Sequence, residues 1–332
     1  MRKFVTGLIV SSMLVGGVAK AESNTESSNE DWDKPIFIQG EDLEGESLNE
    51  TEEKLNVKDD YETFKVGVDD VSNYLPSSSN LSYIYSSATI EKKSFRNGVD
   101  VTIDTPENIT KVTTEQYRNA ALTAGIQKAD IHIASIEKVT GEGALAGIYK
   151  AYEEKGNRLD NEDIQSANEE LEDISNISEE NKGKDGYSDE ALNASIADIK
   201  KELADIRKKQ DEQLSQAQVE DAVNKVLDER GLNETLSDNQ KQVIIKNMVN
   251  VANSKALNDN PKDYYKNAKS VTKDIQSYAG EKLDQAKEKA GELNNDNNKN
   301  LVESALDFIK GIFDAISNFI QNILDFFSNM FK

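Results

Sequence analysis

Cysteine is absent from all 332 residues, histidine occurs once, tryptophan once and proline four times. With no cysteine there can be no disulfide, no thiolate nucleophile, no cysteine-ligated zinc and no acylated cysteine anchor. The single histidine, His132, rules out multi-histidine metal sites and leaves acid–base chemistry to carboxylates or unusual groups. Aromatic residues make up 7% of the chain and apolar residues 36%, enough for a core in part of the chain but not in every segment. Long apolar runs are equally scarce, and the one that stands out lies at the N-terminus.

That run follows Arg2 and Lys3, extends from Phe4 to Val18, and ends in Ala19-Lys20-Ala21, an A-x-A pattern. It predicts a cleaved secretory signal over residues 1–21, because the run is short for a membrane span and a polar acidic tract follows it. Removing it takes away three basic and no acidic residues and carries the formal charge from -23 to -26. So acidic a chain repels phosphate backbones and anionic lipid, so nucleic acid is not expected as a partner.

Residues 22–34 are acidic and rich in Ser and Asn, the composition of a disordered acidic leader. From Pro35 the pattern changes. PIFIQG, FKVGVDDV, LSYIYSSATIEKK, GVDVTID and ADIHIASIEKV read as strands, while LNETEEKLNV, TTEQYRNAALTAGIQKA and GALAGIYKAYEEKG read as helices. The fold class expected is α+β: a mixed head domain over 35–156, then a mostly helical region over 188–296. Residues 157–187, rich in acids and thin in apolar side chains, read as a solvated helix and acidic linker. Beyond them Leu192, Ile196, Ile199, Leu203 and Ile206 form a helical stripe. Ser215 with Gln218 and Ser237 with Gln240 fit capping boxes, and Gly231 suits the end of the helix between them. Another helix is expected after Pro261, and NNDNNKN should break it.

Most chemical motifs fail on spacing. His132 alternates with Ile131 and Ile133, so it should face away from them as an ordinary strand residue. TGEGALAG places Thr140, Gly141 and Gly143 between a strand and a helix, where a turn could cradle an anion with Thr140 as cap; a tight turn with close helix packing is the competing reading. The stretch from Asn181 to Leu192 lacks the ligands of a calcium loop. Ser86 and Ser87 lack the elbow of a serine hydrolase. No catalytic, cofactor-binding or metal-ligating set emerges, and no cofactor is expected. Paired carboxylates stay open, since 62 acids guarantee chance pairs.

At TTEQYRNAALTAGIQKADIHIASIEKVTGEGALAGIYKAYE the chain resembles a family of secreted Gram-positive proteins, the domain of unknown function 1002 or YpuA-like family. The likeness extends to IQGEDL, LNETEEKLNV, SSATIEKK, LSDNQKQVII and a terminal amphipathic helix. Members carry a segment closer to LGADLT where this chain has IQGEDLEGESL. The resemblance implies export and a shared fold, and it carries no activity or catalytic residues.

The last segment, Leu301–Lys332, has the clearest pattern of all. At 100° per residue its 18 apolar residues fall on one half of the helix and its 14 others on the opposite half. The greasy face is built from Phe308, Ile309, Ile312, Phe313, Ile316, Phe319, Ile320, Ile323, Leu324, Phe326, Phe327, Met330 and Phe331. Glu303, Asp307, Asp314 and Asp325 would cost on the order of 10 kcal/mol at a bilayer centre, so the helix is not a span. Left wet, each large side chain would forgo roughly 1.5–3 kcal/mol. Three covers are open: the protein's own helices, a membrane surface, or an envelope protein or second copy. The sequence therefore predicts an exported, envelope-associated binding protein, with a carboxylate hydrolase in a cleft of residues 35–156 as the alternative.

Overall fold

A computed structural model of the chain describes residues 34–76, 81–94, 98–184 and 187–275. Five strands form one mixed sheet: β1 (Ile36–Gly40), β2 (Glu62–Val66), β3 (Ser87–Lys92), β4 (Val99–Ile103) and β5 (Ala129–Ala134). Their order is β2-β1-β3-β5-β4. β1 and β2 are parallel, as are β4 and β5, and β3 runs antiparallel to the neighbours on both sides. Four strands therefore end at the same edge of the sheet, where β3 begins.

Strand alternation sends Ile36, Ile38, Ala88, Ile90, Val99, Val101, Ile131 and Ile133 to one face, all nearly inaccessible. α3 (Thr114–Thr123) and α4 (Glu142–Glu154) cover that face with Tyr117, Ala120, Leu145 and Ile148. Gly147 lets α4 lie close, because a Cβ there would run into Ile38 and Val66. On the other face α1 (Gly45–Lys54) and the chain after it bring Leu48, Leu55 and Val57 over Phe37 and Ala134.

FKVGVDDV, expected as one strand, divides at Gly67. β2 stops at Val66 and α2 (Val68–Tyr74) follows, because the Asp70 carboxylate accepts the Gly67 N–H at 3.0 Å and starts a helix. The strand expected over LSYIYSSATIEKK begins only at Ser87. Upstream of it, the Ile84 N–H is taken by the Asp42 carboxylate at 2.6 Å.

The expected linker differs most. α5 (Asn161–Asn181) is one continuous helix of 21 residues. Its Ile164, Ala167, Leu171, Ile174 and Ile177, spaced three and four apart, are all buried. The first three belong to the core under the sheet and the last two to the core of the helical region, so α5 joins the two. Apart from the buried Asp163 and Glu170, its acids are exposed or half-buried, and their density masked the stripe.

The helical region continues with α6 (Asp189–Arg207), α7 (Gln216–Glu229), α8 (Asp238–Asn253), the short α9 (Lys255–Asp259) and a tenth helix, α10, described over 261–275. Both capping boxes form: the Gln218 N–H meets Ser215 Oγ at 3.4 Å and the Gln240 N–H meets Ser237 Oγ at 3.3 Å. Gly231, at φ +68°, follows α7 in the left-handed conformation. In α6 Leu192, Ile196, Ile199 and Leu203 are fully buried, as the stripe required. Among the described residues no helix is long and apolar enough to cross a membrane.

The packing at Gly147 gives a direct check. Gly147→Ala should destabilise the protein by about 1–3 kcal/mol, because the added methyl overpacks the seam between α4 and the sheet. Urea unfolding followed by circular dichroism would measure it.

Candidate functional site

Where α1 stops covering the sheet, a polar strip over β3, β5 and β4 stays open. Register sets its composition. Thr89, His132 and Thr102 stand in one row across the three strands, and Glu91, Asp130 and Asp100 stand in the next. His132 is half-exposed and its Nδ1 lies 2.9 Å from Asp104 Oδ2. It faces away from Ile131 and Ile133, as the alternation predicts.

Asp130 is the centre of the acidic row. Burial pushes its carboxyl up, and the Asp100 and Glu91 carboxylates on either side add to the shift against the pull of His132 and Lys93. Lys93 is tied to Asp100 at 2.5 Å, and the Tyr61 hydroxyl donates to Glu91 at 2.6 Å. Among the described residues no three His, Asp or Glu side chains are placed to hold a metal ion. Thr89 is buried beside the imidazole, and the hydroxyl of Ser87, opposite Ala134, accepts the Gly40 N–H at 3.0 Å. The strip can accept and donate hydrogen bonds, as Tyr61 with Glu91 and Lys93 with Asp100 show.

The glycine turn serves packing. Gly141, at φ +111°, is the N-cap of α4, while Thr140 is exposed and caps nothing. The Tyr117 hydroxyl donates to the Gly141 carbonyl at 2.6 Å, and a Cβ at Gly141 would lie 2.5 Å from that hydroxyl. A Cβ at Gly143 would lie 2.8 Å from Ser86 Oγ. The protein's own side chains thus fill the turn, and Glu142 puts a negative charge in the first turn where an anion would have to sit.

Sequence reasoning missed a buried ionic centre between head and bundle. Lys200 Nζ on α6 lies 2.6 Å from Glu170 Oε1 on α5 and donates to the Asn119 carbonyl on α3 at 2.9 Å. The other Glu170 oxygen accepts from the Thr123 hydroxyl at 2.9 Å. Both charged side chains are almost fully shielded, 0% and 2% exposed, which removes them from any soluble substrate. Burial pushes the Glu170 carboxyl up and the Lys200 ammonium down, and each partner partly restores the other. A second centre joins Asp198 to Arg230 and Lys201, with the Thr272 hydroxyl donating at 3.2 Å. Asp163 accepts the N–H groups of Lys255 and Ala256 at 3.1 and 2.7 Å, fixing the start of α9. No sequence spacing marks these residues among their many charged neighbours.

The pattern of a family described as protein of unknown function (DUF1002) matches residues 39–271, which include most of the sheet and α1 to α9. The chain belongs to the DUF1002 family. It is also 30% identical over 324 residues to the uncharacterized protein YpuA of Bacillus subtilis (strain 168), an alignment covering 95% of this chain and 98% of that protein. No solved structure matches it. For a DUF1002 protein, then, neither comparison names a substrate. Two sets of sequence-predicted positions lie outside the described residues: Ala19 and Ala21 at the expected cleavage site, and the apolar face from Phe308 to Phe331.

Two measurements follow from the ionic groups. Lys200→Met alone should cost about 3–5 kcal/mol, because it strands a buried carboxylate, whereas Lys200→Met with Glu170→Leu should recover most of the loss; denaturant midpoints would report both. At Asp130 the folded state holds its proton more tightly than the unfolded one, so stability declines as pH rises above the ordinary value of 3.8. Asp130→Asn should therefore raise the melting temperature at pH 7 and flatten its dependence on pH.

Proposed function

We propose that the protein is an exported, envelope-associated interaction protein without an enzymatic reaction of its own, which docks on a membrane surface or a protein partner through residues 301–332. The observation that carries this reading is the division of that segment, with 18 apolar residues on one half of the helix and none on the other. A face of that size needs a cover. Among the described residues Tyr83 is the only large apolar side chain that stands exposed. The A-x-A pattern at Ala19–Ala21 supplies the route of export.

The polar face of the segment carries four acids against Lys310 and Lys332. Docking on lipid would thus rest on apolar insertion and proceed without help from anionic headgroups. Self-association through the same face is the remaining form of partner.

The alternative, a hydrolase using paired carboxylates in residues 35–156, has one observation in its favour: the raised Asp130 carboxyl beside Asp100. It is the weaker reading, because Lys93 already neutralises Asp100 and the row lies along a sheet face.

Deleting 301–332 should leave the circular dichroism and melting of residues 34–275 unchanged while abolishing co-sedimentation with liposomes or retention on envelope extracts. Unchanged association after deletion would end the docking reading. Melting of the helical region would show instead that the face belongs to the core.

A further inference from the structure

The one large apolar side chain exposed on the described body is Tyr83, at 64%. Tyr85 stands behind it, with ring centroids 6.0 Å apart and planes within 19° of parallel. The residue between them is anchored. Ile84 is 2% exposed, its N–H is held by the Asp42 carboxylate at 2.6 Å, and its carbonyl accepts the Asp42 N–H at 3.4 Å. Gly40 makes this possible, because any Cβ there would strike the Ile84 carbonyl. The two rings are thus presented side by side by a fixed backbone, so little conformational freedom is lost when something binds.

Their position adds to the case. The segment enters β3, which begins where β1 and β5 end, and the outer side of the carboxyl ends of parallel strands is where open sheets recruit ligands. The charge there is predominantly negative: at the start of α4, which packs on Ile84 and Ser86 through Gly143, Lys111 is paired with Glu142. In the sequence, residues 35–53 and 66–91 contain no Lys, Arg or His. Glu41, Glu44 and Glu46 are exposed beside Asp42, and Lys150, at the end of β2, is tied to Asp70. An aromatic face in a negative field attracts a cation, whereas a neutral sugar ring would use the face and gain nothing from the field.

We propose that Tyr83, backed by Tyr85, is a docking platform for a basic peptide segment of a partner protein, one Lys or Arg side chain lying over the free face of the Tyr83 ring. The platform belongs to the head and is independent of the docking assigned to 301–332.

The test is titration of the full chain with a blocked tetra-arginine peptide, followed by calorimetry at low salt. Chitotetraose serves as the neutral probe. Tyr83→Ala should weaken peptide binding roughly two- to fivefold, the size of an exposed cation–π contact, and Tyr83→Phe should retain it. Removing two exposed charges elsewhere, with Asp211→Asn and Glu212→Gln, should change it by less than Tyr83→Ala. Equal binding by Tyr83→Ala and the unsubstituted chain would overturn the proposal, since the peptide would then be held only by the diffuse charge of -23. Binding of chitotetraose that Tyr83→Ala abolishes, with no such effect on the peptide, would overturn it in favour of a glycan platform. Because Tyr83 is exposed, each variant should keep the melting temperature of the unsubstituted chain.

Discussion

The architecture depends on one helix whose apolar stripe is buried along its length. α5 puts Ile164, Ala167 and Leu171 into the core beneath the sheet and Ile174 and Ile177 into the core of the helical bundle. At roughly 1.5–3 kcal/mol for each large side chain, those contacts bind two layers that the chain could otherwise hold apart on a linker. α3 extends the junction from the other side: its Tyr117 and Ala120 belong to the first core and its Leu122 to the second.

Burying such an acidic helix carries a risk, because its charges come with it. The structure meets that risk by giving the inward charges complete partners. Glu170 has Lys200 and Thr123, and Asp163 takes the two N–H groups that open α9. A buried ion pair contributes little net stability over an apolar pair of the same shape, but a half-broken one is costly. Such pairs therefore act against wrong arrangements of head and bundle more than in favour of the right one. Asp198, held by Arg230, Lys201 and Thr272, does the same between α6, the end of α7 and α10.

With the interior committed in this way, the polar and aromatic groups left accessible lie at the surface. The open strip around His132 and Asp130 is polar and lies along a sheet face, and the Tyr83–Tyr85 pair stands at the strand ends. Membership of the DUF1002 family fits a shared scaffold, and the relative covering nearly the whole chain is itself uncharacterized. The proposed role in binding rests on two features: the two-sided pattern of residues 301–332 in the sequence and the aromatic platform at Tyr83.

Local patterns were legible because they depend on neighbours in the chain. Alternation placed His132 opposite Ile131 and Ile133, the Ser–Gln spacings gave both capping boxes, and the stripe from Leu192 to Leu203 turned inward. FKVGVDDV reads as one strand by alternation alone, whereas a side chain three residues on, Asp70, decides that Gly67 starts a helix. The turn at Gly141 was ambiguous for a related reason: Tyr117 and Ser86, distant in sequence, are what fill it. By itself the sequence determined composition, the period of each element and the two-sided terminal segment, since each of these is a property of residues within a few positions of one another. Only the tertiary structure decided that an acid-rich stretch is core, that Lys200 meets Glu170, and that Tyr83 stands exposed over a fixed Ile84, because those depend on which distant surfaces exclude water together.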